Sequence, residues 1–138
     1  MTETLQKSPN EFSEWVRKEF QNANKYLASK GLISNEVSPQ NSRYLAPMVA
    51  VWQLKTTTNE QLWVITGDVP SDHFALSAAV NAREAMRAFS FRWQMNAENL
   101  LRAPQKTKAQ IEYAQYLIAS AERLYQVFED EKLWQEVS

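Results

Sequence analysis

A chain of 138 residues, 44% of them hydrophobic, with five tryptophans, five tyrosines and six phenylalanines, can fill one ordinary core, which argues against disorder. Its 15 basic and 16 acidic residues leave a net charge of -1, without the positive field on which nucleic-acid or membrane-surface binding relies. Cysteine is absent, which excludes disulfides and cysteine nucleophiles and fits a reducing compartment.

Residues 1–12 carry no basic, then apolar, leader pattern, so no signal peptide is expected. The longest apolar stretch, residues 45–52, contains Pro47 and falls far short of the ~18–20 residues that cross a bilayer. These features predict a single cytoplasmic domain spanning residues 1–138, with residues 1–7 frayed.

Ser8-Pro9-Asn10-Glu11 predicts a helix start. Ser8 and Glu11 can form a capping box, and Pro9 sits where its missing N–H costs nothing. Phe12, Val16, Phe20, Ala23 and Leu27 recur at helical spacing, and Gly31 supplies a left-handed stop, so the first helix spans residues 9–30. Residues 32–43 read as a loop. Residues 44–55 and 61–66 are rich in Val, Ile, Trp and Leu and predict a β-hairpin. A two-residue turn at Thr58-Asn59 would set Leu54 opposite Trp63 and Trp52 opposite Ile65, all four on one face. Pro47 cannot donate to a ladder, so the first strand begins after it or is an edge there.

From Ser77 the spacing turns helical: Ala82, Met86, Phe89, Trp93, Ala97 and Leu100 form one stripe, stopped by Pro104. Thr107 and Gln110 form a second capping box and start a third helix, with Ile111, Ala114, Ile118, Ala121, Tyr125 and Phe128 on its stripe and Leu117 and Leu124 widening it. A helix to residue 136 would be about 45 Å long, so a break is expected near Glu129-Asp130-Glu131, with Leu133 and Trp134 folded back or exposed. The fold class is α+β, predominantly helical, in the order α-β-β-α-α, with one antiparallel hairpin packed against three helices. An isolated hairpin has two open edges, which gives a physical motive for a homodimer through the hairpin edge.

Chemistry-bearing residues gather in residues 62–73, where an apolar strand runs into Gly67, Asp68, Pro70, Asp72 and His73, the chain's one histidine. Asp68, Asp72 and His73 have the right atoms for a divalent ion or an acid/base pair. No metal-ligand spacing or nucleophile motif accompanies them, so turn-forming and capping roles compete. Arg83 and Arg87 repel at four-residue spacing and call for an acid. Asp68 or Asp72 is the expected partner, in a structural clamp or around a bound anion, and Glu84 is expected to point elsewhere. The chain's two glycines cannot build a P-loop or a dinucleotide fingerprint, so no cofactor is expected. Trp52, Trp63 and Trp93 read as core, whereas Trp134 reads as an anchor for the tail or a partner.

The run Trp63-Val64-Ile65-Thr66-Gly67-Asp68-Val69-Pro70-Ser71-Asp72, followed by Ala82-Arg83-Glu84-Ala85-Met86-Arg87 and Arg92-Trp93-Gln94, resembles a family of small bacterial cytosolic proteins of unknown function. The resemblance implies a bacterial, cytosolic setting and supplies no activity. It implies that Gly67, Asp68, Pro70, Asp72, Arg83 and Arg87 form one unit. The leading expectation is a non-enzymatic binding or adaptor domain with no catalytic residues, metal, nucleic acid or membrane. The alternative is a small-molecule or anion site, hydrolytic or metal-assisted, built from Asp68, Asp72, His73, Arg83 and Arg87.

Overall fold

The structure, a computed structural model, describes residues 9–135, with side chains from residue 14 onward. The capping box expected at Ser8 and Glu11, the stripe position Phe12 and the fraying of residues 1–7 lie outside what is described. Among the described residues, three α-helices and five strands divide between two compact units, Met1–Leu76 and Ser77–Ser138. The first holds α1 (Pro9–Ser29), β1 (Ser34–Val37), β2 (Arg43–Leu45), β3 (Val49–Thr56), β4 (Gln61–Gly67) and β5 (Asp72–Ala75). The second holds α2 (Ala82–Arg102), α3 (Lys108–Glu129) and a closing 3-10 turn, Glu131–Trp134. The class is α+β as expected, but a five-stranded antiparallel sheet replaces the single hairpin.

Helix α1 ends as Gly31 predicts. Gly31 sits at φ +79°, its N–H donates to Ala28 O at 2.9 Å, and Leu32 N–H donates to Leu27 O at 2.8 Å. Those two bonds are a Schellman cap, and Leu32 joins the core beside buried Leu27, completing the motif's apolar contact.

Strands β3 and β4 form the centre of the sheet. Their loop is one residue longer than the expected turn: Asn59 N–H donates to Thr56 O, Thr56 N–H donates to Glu60 O, and Asn59 takes φ +69°. This is a three-residue loop closed by a left-handed residue, a position asparagine tolerates. It pairs Leu54 with Leu62, Gln53 with Trp63, Trp52 with Val64 and Val51 with Ile65. The expected register was therefore off by one, and a one-residue slip exchanges the faces. Trp52 and Leu54 share their face with Leu62 and Val64, not with Trp63 and Ile65. That face packs on α1 through Ala23 and Leu27, flanked by Phe20 and Tyr26. Val49, Val51, Trp63 and Ile65, on the other face, are also buried.

The run 44–55 is not one strand. It folds back at Ala46-Pro47-Met48, where Met48 N–H donates to Leu45 O at 2.8 Å, so β2 pairs with β3 itself. The expected loop 32–43 contains β1, which pairs with the other end of β3 across an irregularity between Ser34 and Glu36. On the far side β5 pairs with β4. Both edges of the β3–β4 hairpin are therefore occupied, which removes the open edges that motivated dimerisation there. The outermost strands are β1 and β2 on one side and β5 on the other.

In the second unit, Asn81 caps α2 by accepting from Glu84 N–H, and the Thr107/Gln110 capping box starts α3 as expected. Helices α2 and α3 lie antiparallel, with Phe91 stacked on Tyr125 at 5.9 Å. Leu117 and Leu124 are fully buried with Ala114 and Ala121, so they are the centre of the α3 stripe and not its margin. The helix breaks at Asp130, and Trp134 folds back to donate to Val127 O at 3.0 Å.

Gly67 sits at φ +126°, and a Cβ there would lie 2.5 Å from Met48 O and 2.8 Å from Val49 Cα, whereas Gly31 has nothing within 4 Å. In urea unfolding, Gly67→Ala should cost about 3 kcal/mol or more and Gly31→Ala only about 1–2 kcal/mol; equal costs would contradict the close approach. Burial raises the Tyr44 phenol above its ordinary pKa of 10.0, and a hydrogen bond with Ser42 opposes this. The fold favours the neutral phenol, so that stabilisation is complete below about pH 10 and disappears as pH climbs through the raised value. Tyr44→Phe should flatten the fall in stability above pH 10; an unchanged slope would argue against it.

Candidate functional site

The residues expected to form a site divide between the two units. Asp68, Asp72 and His73 belong to the first, Arg83 and Arg87 to the second. Gly67 is a packing glycine. It pairs with Val49 and lets the turn after β4 press onto the β2–β3 turn, where Asp68 N–H donates to Met48 O at 2.8 Å. The Gly-Asp pair thus closes the sheet locally, for which only glycine leaves room.

Asp72 and His73 are not in a loop but on β5, opposite Ile65 and Val64 respectively. Successive strand residues point to opposite faces. His73 therefore shares the face that packs on α1. Its Nδ1 and the Tyr26 hydroxyl are hydrogen-bonded at 2.8 Å, with the rings edge to face at 5.4 Å. The Lys30 ammonium lies 5.6 Å from the centre of the Tyr26 ring. Asp72 lies on the Ile65 side, and its Oδ1 accepts from the His73 backbone N–H at 2.8 Å. That contact orders the strand's first residue. Tyr26 is 47 residues from His73, and nothing local in the sequence pairs them.

Arg83 has three kinds of contact within its own unit. Its Nε donates to Phe128 O at 2.9 Å, its Nη atoms lie 3.2 and 3.5 Å from the Glu131 carboxylate, and its guanidinium lies against the rings of Phe128 and Trp134 at 5.2 and 5.4 Å. A planar guanidinium can bond at its edge and stack on its faces at the same time; an ammonium cannot. Arg83 thereby ties the closing 3-10 turn to the start of α2. Arg87 reaches Glu84 at 3.5 Å and lies over the Phe91 ring at 5.0 Å. Glu84 does not point elsewhere: at three-residue spacing it is a neighbour of Arg87 on the helix surface. The acids found for both arginines are thus Glu131 and Glu84, where Asp68 or Asp72 had been expected.

The features missed by sequence reasoning are apolar and exposed. Phe91 and Met95 are 43% and 62% exposed on the side of α2 opposite its buried stripe. Tyr113 and Tyr116 on α3 are about half exposed, with rings 6.2 Å apart. Their signal was available: both pairs fall outside the stripes that account for the core.

Among the described residues, no group of three or more His, Cys, Asp or Glu side chains is placed to hold a metal ion, and no helix is long and apolar enough to cross a membrane. The fold and its surface define an α+β protein: an antiparallel sheet backed by one helix, followed by a helical hairpin with aromatic side chains on its outside. Residues 10–134 match the family described as Domain of unknown function (DUF4826), and the chain belongs to that family. No curated protein and no solved structure matches it.

The Arg83 arrangement predicts that Arg83→Ala costs about 1–2 kcal/mol and speeds amide hydrogen exchange in residues 131–134. Arg83→Lys should recover less than half of that protection. Full recovery by lysine would show that charge alone matters.

Proposed function

We propose that this chain is a non-enzymatic protein-binding domain of the bacterial cytoplasm, acting through the outer surface of its helical hairpin. The observation that carries the reading is the exposure of Phe91 and Met95, one turn apart in the middle of a 21-residue helix. Single exposed apolar residues are ordinary, but here two lie on one stripe, bordered by an aromatic side chain from the next helix. Arginine and aromatic side chains supply much of the energy at protein interfaces, and Arg87, Phe91 and Tyr125 stand together here.

The polar residues weigh against the rival reading of a small-molecule or anion site. His73 is engaged by Tyr26, Arg83 by Glu131 and the Phe128 carbonyl, and Arg87 by Glu84. A metal or acid/base site would need Asp72 and His73 to converge, yet strand alternation sends their side chains apart.

Thermal unfolding with divalent metals, phosphorylated metabolites and carboxylic acids separates the two readings, because a ligand that prefers the folded state raises its stability. The expected result is no specific shift for the wild type, Asp72→Asn or Arg87→Ala. A stabilisation of the wild type that either substitution abolishes would overturn the binding-domain reading.

A further inference from the structure

The outer stripe of α2 reads Glu84, Arg87, Phe91, Met95, Glu98, Arg102, at spacings of three or four residues. At 100° per residue these six fall within one narrow strip along the helix, opposite the strip that buries Ala82, Ala85, Met86, Phe89, Trp93 and Ala97. The strip has an acidic-basic pair at each end and two apolar residues between. In the single chain the charges satisfy each other along the helix, Glu84 with Arg87 at 3.5 Å and Glu98 with Arg102 at 3.6 Å. Both pairs are substantially solvent-exposed, so each is weakly held and free to exchange partners.

Laid antiparallel against a copy of itself, this strip is complementary in one register. Glu84 then faces Arg102 of the second copy, Arg87 faces Glu98, and Phe91 faces Met95, with the same three pairings repeated across the axis. The residue numbers of each pair add to the same value within one residue, so a single two-fold axis near residue 93 brings all six into register. A two-fold interface requires that kind of self-complementarity, with residue i meeting j while j meets i.

From these observations we infer that the outer face of α2 is a self-association surface, and that its occupant is α2 of a second copy of this chain, packed antiparallel about residue 93. The inference rests on the protein-binding reading and names the partner. Phe91 and Met95 form the apolar centre, the four charges fix orientation and register, and Tyr125 of α3 borders the contact through its stacking on Phe91. A parallel alignment would set Glu84 against Glu84 and Arg102 against Arg102, which like-charge repulsion disfavours.

Sedimentation equilibrium of the full chain from micromolar to millimolar concentration tests this. The expected result is a monomer–dimer equilibrium that weakens at least tenfold with Met95→Glu and with Arg87→Glu, while circular dichroism and the melting temperature stay near wild type. Adding Glu98→Arg to Arg87→Glu should restore most of the association. Positions 87 and 98 are three turns apart on one helix, roughly 16 Å, and cannot touch within a chain, so rescue reports contact between copies. A monomer throughout the range, or dimerisation that the double substitution does not rescue, overturns the proposal. A photo-crosslinker at position 91 separates the two levels. If the chain is monomeric but crosslinks to a different protein in cells, the second copy falls and the binding reading stands. If it is monomeric and crosslinks to nothing, both fall.

Discussion

The left-handed residue Asn59 is the constraint from which much of the first unit follows. By closing a three-residue loop it sets β3 against β4 in one register and excludes the neighbouring one. That register puts Trp52, Leu54, Leu62 and Val64 against α1 and turns Trp63 and Ile65 to the other side. Through the pairing of β5 with β4 it also decides that His73 shares the α1 face, where Tyr26 meets it, and that Asp72 does not. A slip of one residue would exchange these assignments. Which face of the sheet His73 and Asp72 each occupy is thus a consequence of backbone pairing.

The helices were legible because their ends carry strong local chemistry. Gly31, Pro104 and the Thr107/Gln110 box each act within one turn of the backbone they terminate or begin. The sheet was less legible for physical reasons. Strands β1, β2 and β5 have three or four residues each, with the sequences SNEV, RYL and DHFA, too short for any alternation to show. Pro47 was recognised as a residue that cannot continue a ladder, and the structure turns the chain back there. The hairpin register could have been read correctly: Asn59 is the loop residue most tolerant of positive φ, and placing it at the left-handed position gives the three-residue loop.

The candidate site shows the same division. Gly67 and Asp68 turn the chain after β4, but Asp72 and His73 lie on a strand, and the partners of the polar residues were not legible. Tyr26 lies 47 residues before His73 and Glu131 lies 48 residues after Arg83, and pairings at that range follow from topology. Arg87 with Glu84 is the exception, a three-residue spacing that sequence alone contains. In the second unit Arg83 serves structure first. Arg83 holds the closing turn through a carbonyl, a carboxylate and two aromatic rings, and Arg87 lies on Phe91. Phe91, Met95, Tyr113 and Tyr116 remain exposed on that unit, with charged side chains beside them.

The β3–β4 register is the point at which the account can be tested most directly, since the placement of His73 and Asp72 depends on it. Hα–Hα nuclear Overhauser contacts across the two strands would read it without perturbing the chain. Contacts between Gln53 and Trp63 and between Val51 and Ile65 are the expected result. Contacts between Leu54 and Trp63 and between Trp52 and Ile65 instead would contradict it, and would return Trp63, Ile65 and the residues of β5 to the opposite faces.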